Sequence, residues 1–365
     1  MSEFTSNDNE GNPTVDTIND SPPQPPPVPP SSSPTGSRVR ISSNESPTAA
    51  PLRQRPVLSR QVSLLVSTEE HNRARGPNEF FGEYKDIRSE LDYKYHLSSY
   101  TKERQELQDK IIDSMLSSTA IHDVNDNFCT VPTEPWAVFT AGAMGAGKSF
   151  TIRRLLQNNR FPMVAFVPVD PDLIRRHLPE FEAYVETDPD RAGELTRKES
   201  GYIVEILTEA AFQQGLNVLV DGSLRDHEWY TGYFKRIKET YPKRKIGILH
   251  VTAPREMVLE RARLRGKKTG RIIPEAILNA ALDQVPKSVK ILAPLADYTC
   301  EIENSVQSEG DDITLVKTSD GDGRTTWEAF TKVWMQVCAW VPMNKRQSLQ
   351  RRETKRVEDA LDQVL

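Results

Sequence analysis

The 365 residues hold 47 basic and 52 acidic side chains for a formal charge of −5, so no overall basic field draws the chain to nucleic-acid phosphates, and nucleic acid is not expected as the main partner. Cys129, Cys300 and Cys338 are odd in number and widely spaced, which argues against a disulfide framework or a metal-binding pair and suits a reducing compartment. The start Met-Ser-Glu-Phe-Thr-Ser lacks an apolar signal core, and no run of about 18 apolar residues occurs, so a soluble, cytoplasmic protein without membrane contact is expected.

In chain order, residues 1–78 are rich in Ser, Pro, Asn and Asp, with 12 of the 26 prolines before position 60. Such a segment buries too little apolar surface to offset its ordering entropy, and reads as a disordered tail. Its run from Pro22 to Pro30 favours polyproline II and carries PxxP spacings, a possible dock for protein partners. Over 79–130 charged residues interleave with Phe81, Tyr84, Ile87, Leu91, Tyr95 and Leu97, then with Leu107, Ile111, Ile112 and Met115 at helical spacing. One or two lead-in helices packed on the main domain are expected. From 131 to 304 strand and helix patterns alternate: strands at 136–141, 163–169, 216–220, 246–251 and 298–302, with helices at 148–158, 201–214, 254–265 and 274–285. Alternation of this kind implies a parallel sheet covered by helices on both faces. A loop rich in Asp and Gly follows, then an apolar segment at 327–340 that extends the domain to 344, and a charged tail over 345–365.

The segment Gly142-Ala143-Met144-Gly145-Ala146-Gly147-Lys148-Ser149 matches G-x-x-x-x-G-K-S between a strand and a helix. Glycines let the backbone curl so that successive N–H groups face nucleotide phosphates, and the new helix adds its N-terminal dipole. ATP is the expected nucleotide: Lys148 would reach its β- and γ-phosphates, and the Ser149 hydroxyl would hold Mg²⁺. A glycine turn without a ligand has no need of Lys-Ser at its end. No N-K-x-D tetrad for guanine is present, and no strand ends in Asp-Glu, so a P-loop kinase fits better than a GTPase or a remodelling ATPase.

Two further strand ends place chemistry at the same sheet edge. Val169-Asp170-Pro-Asp172 ends the second strand with two carboxylates, one able to accept the proton of an attacking hydroxyl and the other to cap the following helix. Asp221-Gly222-Ser223-Leu224-Arg225 ends the third with a carboxylate, a hydroxyl and a guanidinium. The basic run from Arg261 to Arg271 reads either as a solvated face or as a lid that neutralises charge during phosphoryl transfer.

Over about Leu97 to Asn304 these pieces resemble the zeta toxin family of P-loop kinases in order as well as in residue type. The resemblance implies that Asp172 is the base, that Arg261 and Arg271 face the phosphates beside Lys148, and that Glu205, Asp221, Ser223 and Arg225 hold the acceptor. Bacterial members phosphorylate the 3′-hydroxyl of the amino sugar in UDP-N-acetylglucosamine, so a nucleotide sugar is the implied small-molecule acceptor. Asp221 and Ser223 stand where the family has Glu and Thr, which moves the carboxylate about one methylene back from any ligand. The long tail is foreign to the small bacterial toxins and suggests a eukaryotic setting. Two other readings remain open at this stage, an ATP-binding switch or scaffold without acceptor turnover, and a nucleoside or polynucleotide kinase.

Overall fold

The structure is a computed structural model that describes residues 66–118, 134–269, 274–308, 311–319 and 325–335. Three helices form the lead-in, α1 (Thr68–Asn72), α2 (Lys85–Ser89) and α3 (Lys102–Leu116). The first strand β1 (Trp136–Ala141) feeds α4 (Lys148–Gln157), β2 (Phe166–Val169) and α5 (Pro171–Arg175). Next come α6 (Phe181–Thr187), α7 (Pro189–Leu195), α8 (Arg197–Gln213), β3 (Asn217–Val220), α9 (His227–Thr240) and β4 (Lys245–Thr252). The chain then forms α10 (Arg255–Thr269), α11 (Glu275–Leu292), β5 (Tyr298–Glu303), β6 (Thr314–Thr318) and α12 (Trp327–Met335).

The strands make one sheet in the order β2-β3-β1-β4-β5-β6, parallel except where β6 runs against β5. Crossovers run one way from β1 to β2 and β3 and the other way to β4 and β5, so the C-terminal end of β1 lies at a switch point, where α/β sheets bind ligands. Every β1 residue is buried, as a central parallel strand requires. Ala137, Phe139 and Ala141 pack on one face with Ile203 and Ile206 of α8, Phe234 of α9 and Val285 of α11. Trp136 and Val138 pack on the other with Ile152 and Leu155 of α4 and Phe330 and Trp334 of α12. An α/β sheet with helices on both faces is therefore what the chain forms.

The lead-in belongs to the first of these faces. Tyr84, Ile87 and Leu91 share a core cluster with Tyr202 and Ile203. Arg104 ties α3 to two other segments, Glu180 at 2.9 Å and Glu199 at 2.6 Å, with all three side chains buried. Arg88 meets Asp109 at 2.5 Å beneath α2.

Several elements depart from the sequence expectation. Residues 66–78, grouped by composition with the tail, hold α1, started by a Ser67–Glu70 capping box, and a bridge from Arg73 to Tyr100. Met163–Ala165 forms a 3₁₀ turn, and the strand begins only at Phe166. The helix expected to end at Val285 continues through Pro286 to Leu292, because burial of Ser288 and Leu292 outweighs the backbone hydrogen bond that proline removes. Helix α9, capped by Asp226, and edge strand β6 were not expected. The tail before Val66, Cys129, Cys338, Arg271 and the segment beyond 335 lie outside the described residues. Cys300 is buried, and among the described residues no helix is long and apolar enough to cross a membrane.

Candidate active site

The loop after β1 turns on three left-handed glycines, Gly142 (φ 153°), Gly145 (φ 89°) and Gly147 (φ 85°), the last serving as N-cap of α4. Each also sits where a methyl group has no room. A Cβ on Gly142 would lie 2.6 Å from the Val251 carbonyl oxygen, one on Gly145 2.6 Å from that of Val258, and one on Gly147 2.1 Å from Asn304 Nδ2. The loop is thus pinned between β4, α10 and the end of β5, with its first turn open at the head of a ten-residue helix. Lys148 Nζ donates to the Gly142 carbonyl at 3.1 Å, which keeps the ammonium folded over the loop, and Ser149 follows in the first turn of α4. The Gly142 N–H donates to the Ser223 carbonyl at 3.3 Å, joining the loop to the end of β3. Glycine cradle, ammonium and helix terminus fit a nucleotide phosphate chain.

Beside this loop stand three carboxylates. Asp170 accepts from the Asp172 N–H at 2.7 Å and is the N-cap of α5. Burial, with Asp221 and Asp172 adding to it, pushes its carboxyl up to about 7. Asp172 lies further out, with 42% of its side chain exposed, 3.2 Å from Arg175 and 3.9 Å from Arg265 of α10. Asp221 accepts from the Thr140 hydroxyl at 2.6 Å, and that hydroxyl oxygen accepts from the Gly222 N–H at 3.1 Å. The turn is completed by Leu224, a fully buried residue held at φ 51°, a backbone that a branched side chain adopts only under compensation. Ser223 is exposed, Arg225 is half-buried, and the Arg225 carbonyl accepts from Ser288 Oγ of α11 at 2.5 Å.

Arg261 reaches the loop from α10. Its guanidinium donates to the carbonyls of Asn304 at 3.2 Å and Val306 at 3.0 Å, and lies 3.5 Å from where a Gly147 Cβ would be. Desolvation there lowers its proton affinity. Asn304, which belongs to none of the sequence motifs, donates from Nδ2 to the carbonyls of Ala146 at 3.3 Å and Gly147 at 3.4 Å. Its only sequence signal is its place just after β5, one residue beyond the last strand of the parallel set.

Glu205 sits apart from the carboxylate cluster, buried on α8 beside His96 Nε2 at 3.2 Å. Burial raises its proton affinity, and His96 opposes that shift. Tyr230 and Tyr233 of α9 are buried: burial pushes both phenols up, with Asp221 adding to the shift of Tyr230 and Glu205 to that of Tyr233. Glycine loop, Lys148, Asp170, Asp172, Asp221 and Arg261 are therefore brought to one sheet edge, and Glu205 stands on α8 beside His96. Among the described residues no group of three or more His, Cys, Asp or Glu is arranged to hold a metal ion.

The family described as zeta toxin matches residues 119–313, more than half of the chain. The chain belongs to the zeta toxin family. Among solved structures, the AvrRxo1-ORF1:AvrRxo1-ORF2 complex with sulphate ions is 15% identical with a TM-score of 0.50, over 82% of this chain and 95% of that one. The PezAT toxin-antitoxin system of Streptococcus pneumoniae is 18% identical with a TM-score of 0.46, over 73% of this chain and 98% of that one. A putative kinase from Chloroflexus aurantiacus is 14% identical with a TM-score of 0.33, over 56% of this chain and 99% of that one. The first of these likenesses concerns the fold alone. No curated protein matches the chain.

Proposed function

We propose that this zeta toxin family member is an ATP-dependent kinase that transfers the γ-phosphoryl group to a hydroxyl of a small-molecule acceptor, a nucleotide sugar of the UDP-N-acetylglucosamine type. The observation that carries the reading is the meeting of two structures at the switch point. One is a glycine loop headed by Lys148 that fits phosphates, and the other is a row of carboxylates, one half-exposed and within reach of a lid helix. A structural turn would need neither.

The residues of the loop would hold ATP through their N–H groups, with Lys148 balancing charge on the β- and γ-phosphates. Ser149 would hold Mg²⁺, which when bound supplies positive charge that offsets the phosphates. Asp172 accepts the acceptor's proton as the hydroxyl oxygen bonds to the γ-phosphorus and the bond to the β,γ-bridging oxygen breaks, leaving ADP. Arg261, and Arg271 on the adjoining segment, supply lid charge. In the described conformation Arg261 is held by the carbonyls of Asn304 and Val306, so bringing it onto the phosphates requires it to let those bonds go. Asp221, Ser223 and Arg225 hold the acceptor from the β3 side and Glu205 from α8.

One observation favours a second assignment of the base. Asp170 has its carboxyl pushed up to about 7, where a proton acceptor works best at neutral pH, although its Oδ1 is engaged as a helix cap. Asp170→Asn and Asp172→Asn, assayed side by side for transfer from ATP to UDP-N-acetylglucosamine, decide between them. If Asp172 is the base, its variant loses transfer by about two to four orders of magnitude while Asp170→Asn keeps most of it; the reverse result moves the role to Asp170.

A further inference from the structure

We infer that His96, in the segment before α3, is a positioning residue for the acceptor that acts by orienting Glu205. The inference rests on the kinase reading above and adds a residue from outside the span that the family match covers.

Glu205 is 9% exposed, so its carboxylate is out of water and in need of donors. His96 Nε2 lies 3.2 Å from both carboxylate oxygens, and its geometry as a hydrogen bond serves Oε2. Oε1 is buried and makes no hydrogen bond among the described residues. Oε1 shares only the ion-pair contact with His96, so it keeps acceptor capacity for a hydroxyl, the donor that the proposed acceptor carries.

The segment that delivers His96 is built for this aim rather than draped over α8. Asp92 organises it: its carbonyl accepts from the N–H groups of Tyr95 and His96, each at 3.0 Å, and its Oδ1 accepts from the Lys94 N–H at 2.9 Å. The turn closes at Leu97, a non-glycine residue at φ 66° whose side chain is 57% exposed, so no burial of Leu97 itself accounts for the left-handed backbone. The imidazole is 3% exposed and is flanked edge-on by Tyr95 at 4.9 Å and by Tyr202, one helical turn before Glu205, at 5.0 Å. Tyr202 is itself fixed by a 2.8 Å hydroxyl–hydroxyl bond with Tyr93. Ring and carboxylate are thus held together, with the imidazole fixed by Tyr95 and Tyr202 and its Nε2 set against both oxygens of Glu205.

The test uses the full-length chain and steady-state transfer from ATP to a panel of UDP-N-acetylglucosamine, UDP-glucose, N-acetylglucosamine, glucose and uridine. His96→Ala is expected to raise the acceptor KM about tenfold, the scale of one lost charge-assisted hydrogen bond, with the KM for ATP unchanged. His96→Gln, whose amide N–H reaches the same oxygen, restores most of the loss, and Glu205→Gln reproduces it. If His96→Ala leaves the acceptor KM unchanged, or lowers the melting temperature and disturbs both KM values alike without rescue by Gln, the inference fails while the kinase reading stands. If the wild-type chain transfers phosphate to no member of the panel, the acceptor reading fails and takes this inference with it.

Discussion

At the scale of single residues, the glycine loop is the most constrained part of the site. Gly147 combines φ 85° with a Cβ position 2.1 Å from Asn304 Nδ2, so Gly147→Ala adds strain of about 1–2 kcal/mol for the left-handed backbone and displaces the Asn304 anchor as well. Nucleotide affinity, measured by calorimetric titration of a non-hydrolysable ATP analogue, is expected to fall at least about tenfold. An unchanged affinity would mean that this glycine serves only the turn. Asp170 makes a second prediction. Its carboxyl is pushed up from the ordinary 3.8 to about 7, so the folded chain binds this proton more tightly than the unfolded chain does. The group's unfavourable contribution is absent below about pH 4, grows as pH rises, and is complete above about pH 7. Asn keeps the helix cap without the charge. Asp170→Asn is therefore expected to match the parent in melting temperature near pH 4 and to exceed it at pH 8, by a free energy on the order of 2 kcal/mol after allowance for its coupling to Asp221 and Asp172. A variant less stable than the parent at pH 8 would show that the charged form is compensated.

At the scale of elements, the lead-in is held to the domain by Arg104, whose guanidinium meets Glu180 and Glu199 with all three side chains nearly out of water. Arg104→Ala leaves two buried carboxylates without their cation, and urea unfolding is expected to show a loss of about 3–5 kcal/mol. A loss below about 1 kcal/mol would mark the cluster as solvent-screened instead. The helices and strands that carry local signals were legible in the sequence. The alternation from Trp136 to Ile302, the glycine loop and the two acidic strand ends all depend on near neighbours, and they stand at one sheet edge as the pattern implied. What escaped depends on partners far along the chain. Helix α9 carries Tyr230, Tyr233 and Phe234 around Gly232, a weak helix former, and it declares itself only where Phe139 of β1 receives those rings. Strand β6 is five residues at a sheet edge and exists through its pairing with β5. Composition placed residues 66–78 in the tail, yet α1 lies against the domain, with the Thr68 hydroxyl donating to the Leu195 carbonyl at 3.4 Å. The same limit hid Asn304, whose bonds reach back about 158 positions to the glycine loop, and His96, which stands 109 positions from Glu205.

For the molecule as a whole, function follows from where the sheet brings three separated stretches of sequence. The end of β1 carries the glycine loop, the ends of β2 and β3 carry the carboxylates, and α10 leans over both with Arg261 and Arg265. Several bonds cross these stretches, among them Gly142 N–H to the Ser223 carbonyl, the Thr140 hydroxyl to Asp221 and the Gly222 N–H to the Thr140 hydroxyl, and they tie the end of β1 to the end of β3. With the proposed roles, nucleotide binding and phosphoryl transfer are expected to be separable by mutation, Lys148 serving the first and Asp172 the second. The most direct measurement is transfer from ATP to UDP-N-acetylglucosamine and related nucleotide sugars by the full-length chain, with Lys148→Ala and Asp172→Ala as companions and ATP-analogue binding measured on all three. Transfer by the parent that is lost in both variants, with binding weakened in Lys148→Ala but intact in Asp172→Ala, is the predicted result. ATP binding by the parent with no transfer to any acceptor, or transfer that survives Asp172→Ala, would contradict it.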